Sequence, residues 1–292
     1  MTETSADRAV PASFWAGWNR TGTAFKDHWD VKEVMDDLDR RVPHGGMYRW
    51  LKHVCPDIGK GHVLSLGSGH GHKELSLLKY GLAAFVTACD ISKARCQMFE
   101  ERAAEAGMQK KTRIVCCDAM KLLTTSTPYD MVHWDNSLHH MRNTDEVLEL
   151  SWKLLKPGGV LYVNEYVGPN HMQWSDAELE IANGIRSGFP EAWFGSKPDR
   201  TWCTGKLLGR RPLSSISADE APDSRTLFER MNQIGLDCVR LGGIGYFASM
   251  SGLYRSVRMP NDSVALQNML KLDRAFSDCG IFCYACGIAV KR

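Results

Sequence analysis

The chain has 292 residues, of which 43% are hydrophobic, and a formal net charge of +2. This length suffices for a large core in one or two domains, and the nearly balanced charge does not indicate a nucleic-acid-binding surface. No apolar run approaches the roughly 18 residues that span a bilayer, and the first residues lack the features of a secretory signal. The ten cysteines fall inside strand and helix patterns, which indicates reduced thiols in a cytoplasmic protein.

The N-terminal segment is rich in tryptophan. Residues 1–55 carry four tryptophans, and a charged helical pattern covers residues 31–40. We expect a helical extension that packs over the ligand cleft of the core, in which most of the tryptophans are large core fillers; the alternative is that Trp15, Trp18 or Trp29 lines the pocket.

A glycine-rich turn follows the first apolar strand pattern of the core. Val63–Leu66 leads directly into Gly67, Gly69 and Gly71, and a helical pattern comes next. Glycine lets backbone N–H groups approach a ligand closely, so the pattern predicts a site for a nucleotide-like cofactor. The third glycine precedes His72, so the spacing differs from the Gly-x-Gly-x-x-Gly of dinucleotide-binding turns.

Four further strand patterns follow along the chain, and each ends in polar residues. The second ends at Asp90, the third at Asp118, the fourth at Asp135 and the fifth at Glu165. Asp90 lies 23 positions after Gly67. This is close to the roughly 20 positions at which an acid that ends the second strand meets ribose hydroxyl groups.

These motifs together resemble the class I S-adenosylmethionine (SAM) dependent methyltransferases. The resemblance covers about residues 60–168 and is carried by Leu66–Gly71, Asp90, Cys117–Ala119, Tyr129–Val132, Leu138–His140 and Leu154–Gly159. It implies an α/β, Rossmann-like fold with a seven-stranded, mostly parallel sheet and an antiparallel C-terminal hairpin. It also implies SAM as the cofactor.

The resemblance assigns roles within the predicted cofactor site. The turn at 67–71 would hold the amino-acid part of the cofactor, Asp90 the ribose diol, and Asp118 would face the adenine amino group. An acid that ends a strand is often only a helix cap or a turn former, and this alternative stays open for Asp118. The predicted cofactor-binding residues are Gly67, Ser68, Gly69, Gly71, Asp90, Ile91, Asp118, Ala119, Met120, Asp135 and Asn136.

The chain is predicted to divide into four segments. These are a helical N-terminal extension at 1–55, a SAM-binding core at 56–168, a lid insertion at 169–235, and a C-terminal part at 236–292 that completes the sheet. Ligands bind outside the carboxyl ends of parallel strands, so the lid would overhang the transferred methyl group. Its basic run at 197–211 is either a solvated face or the source of an arginine for an acceptor carboxylate. The predicted acceptor-binding residues are Trp174, Arg200, Arg210, Arg225 and Tyr246.

Methyl transfer from a sulfonium is an in-line displacement, so positioning is the main contribution expected of the protein. A general base is needed only where the nucleophile carries a proton at the moment of attack. The predicted catalytic residues are His139, Glu165 and Tyr166. His140 and Asp135 are further candidates for the base. Of these, His139 is preferred because the ordinary pKa of a histidine lies near neutral pH. A thioether or tertiary amine acceptor would need no base, and aromatic faces would then stabilise the cationic product.

We therefore predict methyl transfer to a small-molecule acceptor that bears a carboxylate or resembles an amino acid, with S-methylation of methionine or a related thioether as one example. The alternatives are O- or N-methylation of a natural product or phenolic metabolite, and a non-catalytic SAM-binding partner subunit. Neither nucleic acid nor a membrane is an expected partner, and a homodimer is left open. Cys283 and Cys286 would face opposite sides of a strand, so no metal site is predicted.

Overall fold

The computed structural model describes residues 37, 39–125, 127–191, 203–204, 207–210, 221–242 and 264–292. The helices with defined bounds in these ranges are α1 Met47–Val54, α2 His72–Lys79, α3 Lys93–Glu105, α4 Ala119–Leu123, α5 Thr144–Lys153, α6 Asp176–Ser187, α7 Ser224–Gln233 and α8 Val264–Asp278. The strands are β1 His62–Leu66, β2 Phe85–Asp90, β3 Thr112–Cys116, β4 Tyr129–Asp135, β5 Leu155–Tyr166, β6 Cys203–Thr204, β7 Leu207–Leu208, β8 Asp237–Gly242 and β9 Tyr284–Val290.

Seven of these strands form one sheet in the order β3-β2-β1-β4-β5-β9-β8. The first five run parallel, and β9 is antiparallel to both β5 and β8. This confirms the predicted seven-stranded, mostly parallel sheet with an antiparallel C-terminal hairpin. The strand order reverses at β1, which lies between β2 and β4, and a crevice for ligands forms at the carboxyl ends of the strands at such a point.

The central strands are buried on both faces because helices cover the two sides of the sheet. Val63 and Met131 belong to the apolar core on one face, and Leu64, Val132 and Trp134 belong to the core on the other. Side chains alternate between the faces of a strand, so the continuous apolar patterns of β1 and β4 supply both cores.

A buried ionic cluster joins the N-terminal region to the C-terminal helix. Arg41 donates to Asp37 at 2.6 and 2.9 Å, to Asp273 at 2.7 Å and to the carbonyl oxygen of Leu241 at 2.6 Å. Arg41 thereby connects the segment just before the core to α8 and β8. Most of the predicted extension at 1–55 lies outside the described residues.

The fifth strand contains a Pro-Gly-Gly turn at 157–159 near its start. β5 begins at Leu155, which pairs with Tyr129, and its register against β4 shifts between Tyr129 and Met131. The Gly158 N–H donates to the carbonyl oxygen of Lys291 at 2.7 Å, which ties the turn to the residue that follows β9. Within the described ranges, no helix combines the length and the apolar character needed to cross a membrane.

Candidate active site

The glycine turn joins β1 to α2 at the carboxyl edge of the sheet. Gly67, Gly69 and Gly71 have φ angles of 68°, 57° and 79°, in the left-handed region that glycine adopts without strain. A Cβ atom at Gly67 would lie 2.5 Å from Cβ of Ser137, and one at Gly71 would lie 2.0 Å from the Phe99 ring. Close packing on two sides therefore requires glycine at these two positions.

Asp90 supports this turn from the end of β2. Its Oδ2 accepts a hydrogen bond from the Gly69 N–H at 2.9 Å, and its Oδ1 accepts one from the Ser92 N–H at 2.8 Å. The side chain is buried, yet each carboxylate oxygen can accept a second hydrogen bond. The geometry thus leaves Asp90 able to bind hydroxyl groups while it orients the turn, and its role toward a ribose stays a prediction.

The residues predicted to surround the adenine lie at the start of α4. Asp118 is the N-cap of this helix, because its Oδ1 accepts the Met120 N–H at 2.8 Å. The helix-cap alternative is therefore realised in the structure. The Asp118 side chain is exposed, whereas Ala119 and Met120 are half-buried. A role of these three residues toward adenine stays a prediction.

An open cavity lies in front of the glycine turn. Five of the predicted cofactor-binding residues line it, namely Gly67, Ser68, Gly69, Asp135 and Asn136. Its lining does not include the other six, namely Gly71, Asp90, Ile91, Asp118, Ala119 and Met120. The structure therefore brings together the turn and the end of β4 in the cavity wall, and the predicted ribose and adenine residues are not part of that wall.

Sequence reasoning missed several polar residues of the cavity wall. Lys73 and Glu74 line it from the first turn of α2, and Ser65 lines it from β1. Lys73 Nζ forms an ion pair with Asp135, and burial lowers the pKa of Lys73 to about 8, opposed by the nearby Glu74 and Glu165 charges. The sequence position of Lys73 and Glu74 could have indicated their place in the wall, because the first turn of a helix that follows a glycine turn faces the same ligand as the turn.

Ser65 and Glu74 of the cavity wall form a buried chain of hydrogen bonds with His133, which is not part of the wall. Ser65 Oγ donates its one proton to Glu74 Oε1 at 2.6 Å, so His133 Nδ1, 3.0 Å from Ser65 Oγ, must be the donor to that oxygen. Burial, together with the Lys73 charge, lowers the pKa of His133 to about 3, which keeps its ring neutral. The ring is only 1% exposed.

We expect His133 to make the folded state sensitive to acid. An unfolded histidine takes up a proton below about pH 6.5, whereas folded His133 stays neutral down to about pH 3. The stability contributed by His133 is thus complete above pH 6.5 and is lost as the pH falls toward 3. Between pH 8 and 5 the loss is about 2 kcal/mol of unfolding free energy.

Urea unfolding at several pH values checks this expectation. His133→Gln should flatten the acid limb of the stability profile, and His53→Gln on α1 should leave it as in the wild type. Parallel profiles for the wild type and His133→Gln would contradict the assignment.

His139 and Glu165 form a second buried pair, at the carboxyl ends of β4 and β5. His139 Nδ1 lies 2.6 Å from Glu165 Oε2, and Glu165 Oε1 accepts the N–H groups of Ser137 and Leu138, each at 2.6 Å. A carboxylate that accepts on Oε2 fixes the Nδ1–H tautomer of the ring, so the lone pair lies on Nε2. Ser137 packs against Gly67, which places the pair beside the cofactor turn.

Tyr166 and Trp174 are packed into the core next to this pair. Tyr166 Oη donates to the carbonyl oxygen of Pro169 at 2.9 Å, and burial raises the pKa of Tyr166 well above its usual value. Its ring lies edge-on to His139 and to Trp174, with centroids at 5.9 and 6.3 Å. Tyr166 therefore supports the His139 ring as a neutral, hydrogen-bonded phenol, and a catalytic role for it stays a prediction.

The described acceptor arginines are engaged with acids of α6. Arg210 Nη2 lies 2.7 Å from Asp176 Oδ1, and its Nε donates to the carbonyl oxygen of Trp174 at 3.1 Å. Arg225 Nη2 lies 3.8 Å from Glu178 Oε1. Arg200 and Tyr246 lie outside the described residues. An acceptor carboxylate would thus compete with Asp176 and Glu178 for these arginines, and their assignment stays a prediction.

Comparison with known proteins places these features in context. Residues 63–159 match the model of a family described as a methyltransferase domain. The chain is 28% identical over 133 residues to Sterol 4-C-methyltransferase strm-1 of Caenorhabditis elegans, covering 43% of this chain but only 39% of that protein. It is 28% identical over 212 residues to the Ubiquinone/menaquinone biosynthesis C-methyltransferase UbiE of Ralstonia nicotianae, covering 71% of this chain and 80% of that protein.

Among solved structures, the chain is similar to geranyl diphosphate methyltransferase in complex with SAM. The two are 14% identical, with a TM-score of 0.46, over 83% of this chain and 82% of that one.

Proposed function

We propose that this chain, which carries a class I SAM-dependent methyltransferase domain over residues 63–159, transfers the methyl group of SAM to a small-molecule acceptor that loses a proton in the reaction. SAM is the cofactor of this domain. The observation that carries the proposal is the buried His139–Glu165 pair, which leaves the lone pair on Nε2 of His139 and lies beside the glycine turn through the contact of Ser137 with Gly67.

The residues in front of the turn fit SAM chemically. The left-handed glycine turn offers backbone N–H groups, Lys73 and Glu74 supply both charges needed for a zwitterionic head group, and Asp90 retains acceptor capacity for a diol. SAM supplies the activated methyl group on a sulfonium. In this proposal the turn and Asp90 orient the donor.

His139 would act as the general base that removes the acceptor's proton. With Nδ1–H held by Glu165, the Nε2 lone pair would take the proton of the attacking group while that group bonds to the methyl carbon and the carbon–sulfur bond of the sulfonium breaks. Glu165 is fully buried, and it stabilises the resulting imidazolium because it accepts hydrogen bonds from His139 and from two backbone N–H groups. Hydroxyl, amine and acidic carbon nucleophiles all fit this scheme.

The names of the two relatives bear on the class of acceptor. Both are C-methyltransferases, which favours an acidic carbon or a phenol-like ring as the acceptor. A carboxylate-bearing or amino-acid-like acceptor remains part of the proposal through Arg210 and Arg225. S-methylation of methionine or another thioether is the less supported version, because a thioether has no proton for His139 to accept.

Transfer of tritium from methyl-labelled SAM to a panel of acceptors tests the proposal. The panel holds phenols, acidic carbon compounds, amines and thioethers, each with and without a carboxylate. We expect transfer to a member with an ionisable O–H, N–H or C–H, and thermal stabilisation by S-adenosylhomocysteine but not by NAD. Binding of S-adenosylhomocysteine without transfer to any acceptor would favour the non-catalytic partner subunit, and stabilisation by NAD alone would contradict the proposal.

A further inference from the structure

Glu74 is an unusual residue in the wall of the cofactor cavity. Its side chain is 2% exposed, yet it lines the cavity, and it lies on the first turn of α2 beside the glycine turn. Oε1 accepts the Ser65 hydroxyl, whereas Oε2 is buried and has no hydrogen-bond partner among the residues that the structure describes. A buried carboxylate oxygen without a donor is costly, so such an oxygen in a cavity wall indicates a ligand donor.

The charges around Glu74 restrict what that donor can be. Burial raises the pKa of Glu74, and its neighbour Asp90 adds to this effect, while Lys73 opposes it. Lys73 Nζ is directed to Asp135 and does not bind Glu74. A cationic ligand group would thus satisfy Oε2 and compensate its buried charge, whereas a neutral hydroxyl would do only the first.

The buried chain behind Glu74 fixes where Oε2 points. His133 and Ser65 are register partners on β1 and β4, and their hydrogen bond holds the Ser65 hydroxyl proton on Glu74 Oε1. With Oε1 held in this way, Oε2 is the carboxylate oxygen left for the cavity. The chain runs in one direction: His133 donates to Ser65, Ser65 donates to Glu74, and the Glu74 carboxylate only accepts.

We propose that Glu74 Oε2 accepts the α-ammonium group of SAM, and that Ser65 and His133 are positioning residues that hold the Glu74 carboxylate for it. This inference rests on the proposed function, because it takes SAM as the ligand of the cavity. Lys73, on the same helical turn, gives the cavity the opposite charge that a zwitterionic head group requires.

Calorimetric binding of two ligands to the full chain tests the inference. S-adenosylhomocysteine carries the ammonium group, and 5′-methylthioadenosine retains the adenosine and the thioether but lacks the amino-acid part. Glu74→Gln should weaken S-adenosylhomocysteine binding by about 10- to 100-fold, as expected for a lost hydrogen bond between charged groups. It should change the affinity for 5′-methylthioadenosine by less than about twofold. Thermal unfolding of each variant reports whether it is folded.

A ligand change avoids any dependence on variant folding. The desamino analogue of S-adenosylhomocysteine should bind the wild type about 10- to 100-fold more weakly than the parent, and Glu74→Gln should bind the two ligands almost equally. Ser65→Ala should show a smaller loss confined to S-adenosylhomocysteine. Ser76→Ala, which removes a hydroxyl that donates to the His72 carbonyl oxygen on the same helix, is the matched control and should bind as the wild type.

Three results would overturn the inference. Equal wild-type affinity for S-adenosylhomocysteine and its desamino analogue would show that the ammonium group is not recognised. If Glu74→Gln weakens the binding of S-adenosylhomocysteine and of 5′-methylthioadenosine equally, Glu74 only stabilises the structure of the glycine turn and does not bind the ammonium group. A wild type that binds 5′-methylthioadenosine but not S-adenosylhomocysteine would contradict Glu74 recognition and the proposed function together, whereas the first two results leave the proposed function standing.

Discussion

Replacing Asp90 with alanine should weaken the binding of S-adenosylhomocysteine by about 100-fold or more. In the proposed site, the alanine variant lacks two hydrogen bonds from Asp90 to the ribose diol, and each contributes about 1.5–3 kcal/mol to binding because one partner is charged. The change also removes the acceptor of the Gly69 N–H, so the turn loses the contact that orients it. Both effects act in the same direction, which makes this one of the two largest expected losses.

The same substitution should also lower stability. Two N–H groups, those of Gly69 and Ser92, would lose their acceptor at a buried position, at a cost of about 1–3 kcal/mol each. Calorimetric titration and urea unfolding therefore need to be read together. Asp90→Asn keeps the shape and one acceptor oxygen, so it should lie between the wild type and Asp90→Ala in both measurements.

Asp130 provides the matched control for Asp90. It lies on β4 and also accepts a backbone N–H, that of His62 at 2.7 Å, along with the Lys156 ammonium at 2.8 Å. It lies near the start of β4, at the amino edge of the sheet, away from the glycine turn. Asp130→Ala should thus lower stability without changing affinity. If Asp90→Ala and Asp130→Ala bind S-adenosylhomocysteine equally well, the ribose assignment is wrong.

The sheet and its cofactor edge could be predicted because they depend on local patterns. Val63–Leu66 before the glycine turn, and an acid at the end of each later strand, are features of single segments. The mostly parallel sheet with its antiparallel C-terminal hairpin followed from the resemblance to a known fold. The tight turn at 67–71 could also be predicted from its glycines. The structure shows why they are needed, because a Cβ at 67 or 71 would clash with its neighbours.

The buried chain from His133 to Glu74 could not be predicted in this way. Ser65 and His133 are 68 positions apart and meet only because the β1–β4 register pairs them, and Glu74 meets Ser65 only through the packing of α2 on the sheet. In the sequence, Ser65 is one polar residue inside an apolar strand. Nothing local distinguishes it from a Ser that is merely tolerated there.

Charge patterning was also an incomplete guide to the lid. Arg210 and Arg225 were singled out as sources of positive charge, but acids in the first turn of α6 already contact both. The sequence shows a basic run with one acid inside it at 197–211, while Asp176 lies 34 positions before Arg210 and Glu178 lies 47 positions before Arg225. Ion pairing across such a distance is decided by the fold rather than by the run.

The second large effect is expected at the His139–Glu165 pair. His139→Gln removes the proposed base and should lower kcat by about 100- to 10,000-fold for an acceptor that carries a proton. Affinity for S-adenosylhomocysteine should stay within about twofold, because His139 is not among the residues assigned to the cofactor. Stopped radiometric assays for kcat and calorimetry for binding separate the two quantities. His140→Gln, at the adjacent ring, should retain most of the rate.

Glu165→Gln gives the sharper test because it turns one acceptor oxygen into a donor group and removes the charge while it keeps the shape of the side chain. The amide oxygen can still accept the N–H groups of Ser137 and Leu138, which leaves the NH₂ group facing His139 Nδ1. That nitrogen must then become an acceptor, so the ring carries its proton on Nε2 and has no lone pair for the acceptor. Glu165→Gln should therefore reduce kcat nearly as much as His139→Gln, and the double variant should lose little more, since the two residues act as one unit. Additive losses would place Glu165 in a separate role, and near-normal rates for both single variants would exclude base catalysis and favour a thioether or tertiary amine acceptor.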